Sequence, residues 1–92
     1  MDNVREQILN AAIQKYGRGT QQFKAIEELS ELIRALARFD DENIAEEMAD
    51  CYIMLAQLEL IYGNHGDVVQ MIREKMARTL ERVEAERRGE GT

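Results

Sequence analysis

Proline is absent from this sequence, and glycine occurs only six times in 92 residues. Proline interrupts helices and glycine weakens them, so their scarcity favours long uninterrupted helices. Hydrophobic residues make up 45% of the chain and charged residues 33%, which is typical of a soluble globular protein. We therefore expect an all-α fold in one domain spanning residues 1–92, with 87–92 as a flexible tail.

Three further absences bear on location and partners. The single cysteine, Cys51, cannot form an internal disulfide, and no apolar run approaches the about 20 residues that cross a bilayer. The N-terminus lacks the basic and apolar regions of a signal peptide. These features predict a cytoplasmic protein with no membrane partner. A net charge of −6 argues against nucleic acid as a partner.

Apolar periodicity predicts four helices, at residues 2–16, 21–38, 44–62 and about 67–86. Thr20, Asp40 or Asp41, and Asp67 are the expected N-caps of the last three helices. The short connection between the second and third helices predicts an antiparallel hairpin. The fourth helix carries an expected core stripe, formed by Val69, Ile72, Met76, Leu80 and Val83.

The third helix is unusually apolar, with 14 hydrophobic residues among the 19 from Ile44 to Tyr62. A helix that is hydrophobic nearly all round is buried, and three companion helices in so small a chain do not cover every side. We infer that this helix packs against a second subunit. Glu47 and Asp50 occupy its remaining face, where a charge needs a partner or a cation.

Acidic residues concentrate around the predicted hairpin. Between Glu27 and Asp50 lie nine of the 18 acids and only two basic residues, which gives this segment a charge of −7. Glu28 and Glu31 are three residues apart, as are Glu47 and Asp50, so each pair shares one helix face. In an antiparallel hairpin centred on Phe39 these two pairs lie at matching heights, and their four carboxylates can meet.

Two alternatives to this site remain open. Acids on amphipathic helices commonly form a solvated face, and the i, i+4 pairs Glu27–Glu31 and Glu46–Asp50 could also oppose one another. Lys75, Arg78 and Arg82 form a basic stripe on the fourth helix. This stripe is either a solvated face or a binding surface. Cys51 lies on an apolar stripe, which favours a buried structural thiol over a nucleophile.

If the four acids form a site, its chemistry follows from its ligands. Carboxylates without a neighbouring cysteine or histidine suit Mg²⁺ or Mn²⁺ better than Zn²⁺ or copper. Magnesium held in this way usually completes its shell with water and substrate phosphates. Lys75 and Arg78 are then candidates for neutralising those phosphates.

The motif EELSEL followed by EEMAD resembles the MazG-like all-α nucleoside triphosphate pyrophosphohydrolases, and the small single-domain, often phage-encoded members are the most similar. The resemblance runs through KYGRGTQQFKAIEELSELIRAL and DENIAEEMADCYIMLAQLELIYG to KMARTLERV. It implies a four-helix bundle, assembled as a homodimer or homotetramer, that binds Mg²⁺. The implied metal and catalytic residues are Glu28, Glu31, Glu47 and Asp50.

The resemblance also implies the reaction. Water attacks the α-phosphate of a (deoxy)nucleoside triphosphate and releases a nucleoside monophosphate and pyrophosphate, with Lys75 and Arg78 holding phosphates. Lys24 and Gln21 are further candidates for substrate contacts. The base is not predicted, because most of the five aromatic residues are better placed in the core. The alternatives are a phosphoribosyl-ATP pyrophosphohydrolase and a non-catalytic helical assembly or regulatory module.

Overall fold

The computed structural model describes residues 3–89, which form four α-helices and no strand. They are α1 (Asn3–Tyr16), α2 (Arg18–Ala37), α3 (Asp41–Tyr62) and α4 (His65–Arg87). The all-α class is therefore confirmed. The expected first helical residue, Asp2, and residues 90–92 of the expected tail lie outside the described residues. No helix among residues 3–89 is long and apolar enough to cross a membrane.

Three helix starts were predicted a few residues too late, and the reason lies in the short connections. Gly17 adopts a φ of 95°, which turns the chain within one residue, so α2 begins at Arg18 and Thr20 is not its N-cap. Left-handed Gly63 ends α3 in the same way, and α4 begins at His65 rather than at Asp67. The start of α3 is Asp41, preceded by Asp40.

Helices α2 and α3 form the antiparallel hairpin, and α1 packs against both of them. Most buried residues of the hairpin are small or polar, which lets the two helices approach closely. The buried residues are Ala25, Ala35, Cys51, Met54, Gln21, Glu28 and Gln57. The register is symmetric about Phe39, because Gln21 and Gln57, each 18 residues away from it, share a hydrogen bond of 2.8 Å. Arg18 likewise donates to the carbonyl oxygen of Ile61 at 2.8 Å.

Helix α4 does not pack extensively against any of the other three helices. None of its described residues is buried, and Met76, in the middle of its apolar stripe, is 67% exposed. The expectation that this stripe forms the core of the chain is therefore wrong for a single copy. The physical reason is the two-residue connection at Gly63 and Asn64, which directs α4 away from the hairpin.

The chain is consequently extended. Its radius of gyration is 17.1 Å, whereas a compact domain of 92 residues has a value of about 12 Å. Its accessible surface is 7477 Å², compared with about 5,500 Å² for a compact protein of 10.6 kDa. Apolar side chains supply much of this surface, on α3 as well as on α4: Tyr52, Ile53, Leu55, Met71, Ile72 and Leu80 are among those exposed.

Candidate metal centre

The hairpin brings carboxyl groups from both of its helices together. Glu28 on α2 is buried, and Glu47 and Asp50 on α3 are half-buried. One carboxylate oxygen from each of these three lies within 4.8 Å of the others. Glu31 adjoins them, since its carboxyl group is close enough to raise the pKa of Glu28 and of Glu47. We call these four residues the acid cluster.

The i, i+3 spacing explains why these acids meet and their neighbours do not. Residues three apart stand one above the other on a helix, so each pair faces the partner helix together. Glu27 points instead to the surface, where it accepts a hydrogen bond of 3.3 Å from Lys24, and Glu46 is exposed. The alternative pairing through Glu27 and Glu46 is therefore not formed.

Mutual repulsion and burial disfavour the simultaneous ionisation of all four carboxyl groups in the acid cluster. The hydrogen bond with Glu31, followed by burial and the hydrogen bond with Asp50, raises the pKa of Glu28 to about 7. Burial, and then the charges of Glu31 and Asp50, raises the pKa of Glu47. In both residues the ionised form is disfavoured because no positive charge compensates it.

One carboxylate oxygen of the acid cluster is buried and unsatisfied. Within the described part of the chain, Oε2 of Glu47 is buried and has no hydrogen-bond partner. A buried carboxylate oxygen without a partner is energetically unfavourable, and a bound cation would remove that penalty. Because all donors here are carboxylate oxygens, the residues fit a hard divalent cation such as Mg²⁺, Mn²⁺ or Ca²⁺.

Cys51 lies directly beside the cluster but has a structural environment. Its thiol is buried and donates to the backbone carbonyl of Glu28 at 3.4 Å. Burial, assisted by the charges of Glu28 and Glu47, raises the pKa of Cys51, so the thiol stays protonated. This agrees with the predicted structural role and leaves oxygen as the ligand type of the site.

The basic residues expected to bind substrate are not assembled around the acids in one chain. Lys75 and Arg78 lie exposed on α4, and within residues 3–89 neither forms an ion pair. Lys24 is held at the surface of α2 by Glu27, whose hydrogen bond raises the pKa of the ammonium group. Gln21 is buried in the hairpin and donates to Gln57.

A cavity of about 690 Å³ opens beside the acid-bearing part of α2. Its walls include two aromatic rings, an ion pair and the buried amide pair: Tyr16, Phe23, Lys24, Glu27, Gln21 and Gln57. We call it the amide cavity. All five aromatic residues are more than half exposed, and Phe23 is 74% exposed, so the expectation that most of them serve the core is wrong for a single copy. The sequence held one signal that Phe23 lines this cavity. Phe23 and Glu27 are four residues apart, so the ring lies on the same side of α2 as Glu27.

An antiparallel helical hairpin with clustered carboxylates between its helices defines an all-α protein with a candidate divalent-metal site. The profile of the MazG nucleotide pyrophosphohydrolase domain matches residues 20–83, which include the acid cluster, Lys75 and Arg78. This chain therefore belongs to the MazG nucleotide pyrophosphohydrolase family. Proteins of the family typically depend on a divalent metal, and membership indicates a nucleotide pyrophosphohydrolase. No curated protein and no solved structure matches the chain.

Proposed function

We propose that this chain is a Mg²⁺-dependent hydrolase that converts (deoxy)nucleoside triphosphates to nucleoside monophosphates and pyrophosphate. The observation that carries the proposal is the acid cluster, with three carboxylate oxygens within 4.8 Å and a buried oxygen of Glu47 that has no partner. A solvated acidic face would leave each carboxylate hydrated. Here the acids are instead turned toward one another across two helices, as ligands of a shared cation would be.

Glu28, Glu47 and Asp50 are the proposed metal ligands, and Glu31 completes the site. Bound Mg²⁺, for which Mn²⁺ is a possible substitute, would neutralise phosphate charge and lower the pKa of a bound water. The charges of the acid cluster would then be compensated. The raised pKa values of Glu28 and Glu47 should consequently return toward the ordinary range.

The proposed reaction is a displacement at the α-phosphorus. The oxygen of a water molecule forms a bond to that phosphorus, the bond to the bridging oxygen between the α- and β-phosphates breaks, and pyrophosphate leaves with the electron pair. We assign Glu31 to orient the water and accept its proton, because it adjoins Glu28 and Glu47 but stands outside the closest set of three oxygens.

Phosphate binding is assigned to Lys75 and Arg78, and their position on α4 requires a second copy of the chain. Within one copy α4 does not pack on the hairpin. We therefore propose that α4 of one subunit supplies these cations to the acid cluster of another. A cation at this position would stabilise the charge that develops on the leaving pyrophosphate.

The proposed assembly is a homodimer or homotetramer of one-domain chains. The accessible surface exceeds that of a compact protein of this mass by about 2,000 Å². A standard interface buries about 800 Å² on each partner, so the excess is enough for more than one contact. The exposed apolar residues of α3 and α4 are the material for such contacts.

A panel of nucleoside triphosphates with Mg²⁺ tests the activity. Equal amounts of monophosphate and pyrophosphate are expected, and orthophosphate released from the γ position would refute attack at the α-phosphorus. Phosphoribosyl-ATP belongs in the panel, since its preferential hydrolysis would identify the alternative enzyme. If Mg²⁺ changes neither thermal stability nor nucleotide binding, the chain is a non-catalytic module and the metal site is refuted.

A further inference from the structure

We propose that the amide cavity binds the base of the nucleotide, with the ring of Phe23 as a stacking surface and the Gln21–Gln57 pair as the hydrogen-bonding edge. This inference rests on the proposed function and specifies its substrate as a nucleotide recognised through its base. It is carried by three observations: the position of the cavity, the state of the two amides and the exposure of the ring.

The amide cavity is placed where the base of a nucleotide would lie if the phosphates of that nucleotide were bound at the acid cluster. Gln21 precedes Glu28 by seven residues, and Gln57 follows Asp50 by the same number. Seven residues are two helical turns, or about 10 Å along the helix axis. The ribose of a nucleotide separates its α-phosphate from its base, so one molecule can reach both places. Lys24 and Glu27 lie in the cavity wall on the same helix as Glu28.

The two glutamines are unusual because they are buried polar side chains with hydrogen-bonding capacity left over. Gln21 is 7% exposed and Gln57 is 5% exposed, and Nε2 of Gln21 donates to Oε1 of Gln57 at 2.8 Å. This bond uses one amide oxygen and one N–H. It leaves the oxygen of Gln21 and the NH₂ group of Gln57 available at the cavity.

One acceptor beside one donor is the pattern that the hydrogen-bonding edge of a nucleobase complements. Adenine and cytosine each offer an amino donor next to a ring nitrogen that accepts. The keto bases offer a carbonyl acceptor next to a ring N–H that donates. Exchanging oxygen and nitrogen in both amides preserves their mutual bond and inverts the order that the pair presents. The glutamine pair can therefore form hydrogen bonds with either an amino base or a keto base. It cannot form them with a ring that lacks a donor beside an acceptor.

Phe23 supplies the apolar half of the site. Its ring is 74% exposed, and it lies in the wall of the amide cavity, which is wide open to solvent. An aromatic face stacks on any base, and removal of such a ring weakens binding by about tenfold or more. Phe39 is a matched control, because it is an exposed phenylalanine outside the cavity lining.

The first test measures binding of non-hydrolysable α,β-imido nucleoside triphosphates in the presence of Mg²⁺. We expect Phe23→Ala to weaken binding about tenfold and Phe39→Ala to leave it unchanged. The mass of each variant is measured in solution beside its affinity. Unchanged affinity in Phe23→Ala overturns the proposal, and so does a loss of affinity that accompanies dissociation of an oligomer, which would assign the ring to a subunit interface.

The second test removes the hydrogen-bonding edge while preserving volume. In Gln21→Met/Gln57→Met both amides are replaced by apolar side chains of similar length, so neither is left unpaired. Wild type is expected to bind the α,β-imido analogue of adenosine triphosphate several-fold more tightly than the same analogue of purine riboside triphosphate, which lacks the amino group. Equal binding of the two by wild type would overturn the role of the amides. The double variant should bind the two equally. Retention of the wild-type preference would overturn the role of the amides.

The proposal can be refuted separately from the proposed function. If wild type releases pyrophosphate but Phe23→Ala and the double methionine variant have wild-type KM values, the cavity assignment fails and the activity stands. If wild type releases no pyrophosphate, the base site is still tested by measuring the binding of adenosine monophosphate in EDTA. Weaker binding of this probe by Phe23→Ala than by Phe39→Ala supports the base site, and equal binding overturns it.

Discussion

The α2–α3 hairpin and helix α4 distribute polarity in opposite ways. The hairpin buries polar groups, including Glu28 at 8% exposure, whereas α4 exposes its apolar stripe to solvent. The acid cluster is thus formed within a single chain, although α3 also exposes apolar side chains such as Tyr52 and Ile53. Helix α4 is amphipathic without a partner in its own chain. One copy forms the acid cluster, whereas the phosphate-binding role proposed for the basic helix depends on the proposed assembly.

The largest expected effect comes from breaking the hairpin's acid cluster. Glu47→Gln should lower hydrolysis at least about a hundredfold, since loss of even an outer partner of a metal ligand typically has a 10- to 100-fold effect. The same change should raise the melting temperature of the metal-free protein by removing an uncompensated charge. Circular dichroism and pyrophosphate release measure the two effects.

Glu46→Gln is the matched control, because Glu46 is an exposed neighbour of the same charge on the same helix. It should retain activity and gain little stability. Equal losses in the two variants would mean that the overall charge of α3 matters rather than the cluster.

Mixing inactive variants tests whether α4 acts on another subunit. Glu47→Gln and the double variant Lys75→Ala/Arg78→Ala should each be weak alone. If the subunits exchange as a dimer, equal mixing should restore about a quarter of the wild-type sites, because half of the dimers are mixed and each has one intact site.

No recovery after demonstrated subunit exchange would contradict the assignment. It would mean that Lys75 and Arg78 serve the acids of their own chain, or that they bind no phosphate. Exchange is followed with a size tag on one of the two variants.

A charge in the apolar stripe of α4 should break the assembly. Met76→Glu would bury an unpaired carboxylate in the proposed interface, so the mass in solution should fall to that of a monomer. Ala77→Glu is the control, since its position is turned about 100° round the helix from Met76. Light scattering distinguishes the two. A monomeric wild-type protein would refute the assembly directly.

The smallest effect sharpens the account of the hairpin turn. Phe39 is 85% exposed and adopts a φ of 55°, a left-handed conformation that disfavours residues with a Cβ. Phe39→Gly should stabilise the protein by about 1 kcal/mol in urea unfolding, and Phe39→Ala should not, because alanine retains the strain. Destabilisation by Phe39→Gly would indicate that the ring is buried in an interface.

Much of the hairpin could be predicted from sequence because its determinants are local. Helical spacing puts Glu28 with Glu31 and Glu47 with Asp50, and a short connection centred on Phe39 fixes their heights. The direction of α4 could not be predicted, since it depends on the left-handed Gly63 and on the absence of packing within one chain. Gln21 was predicted as a substrate contact, but its partner Gln57 was missed because an uncharged residue on an apolar helix carries no charge pattern.

Hydrolysis of a nucleoside triphosphate in ¹⁸O-labelled water, with Mg²⁺ present, tests the central claim most directly. The products are separated and the label is located by mass spectrometry. Attack at the α-phosphorus predicts one ¹⁸O atom in the nucleoside monophosphate and none in pyrophosphate. Glu47→Gln should form labelled monophosphate at least about a hundredfold more slowly. Label in pyrophosphate or in orthophosphate would contradict the proposed reaction.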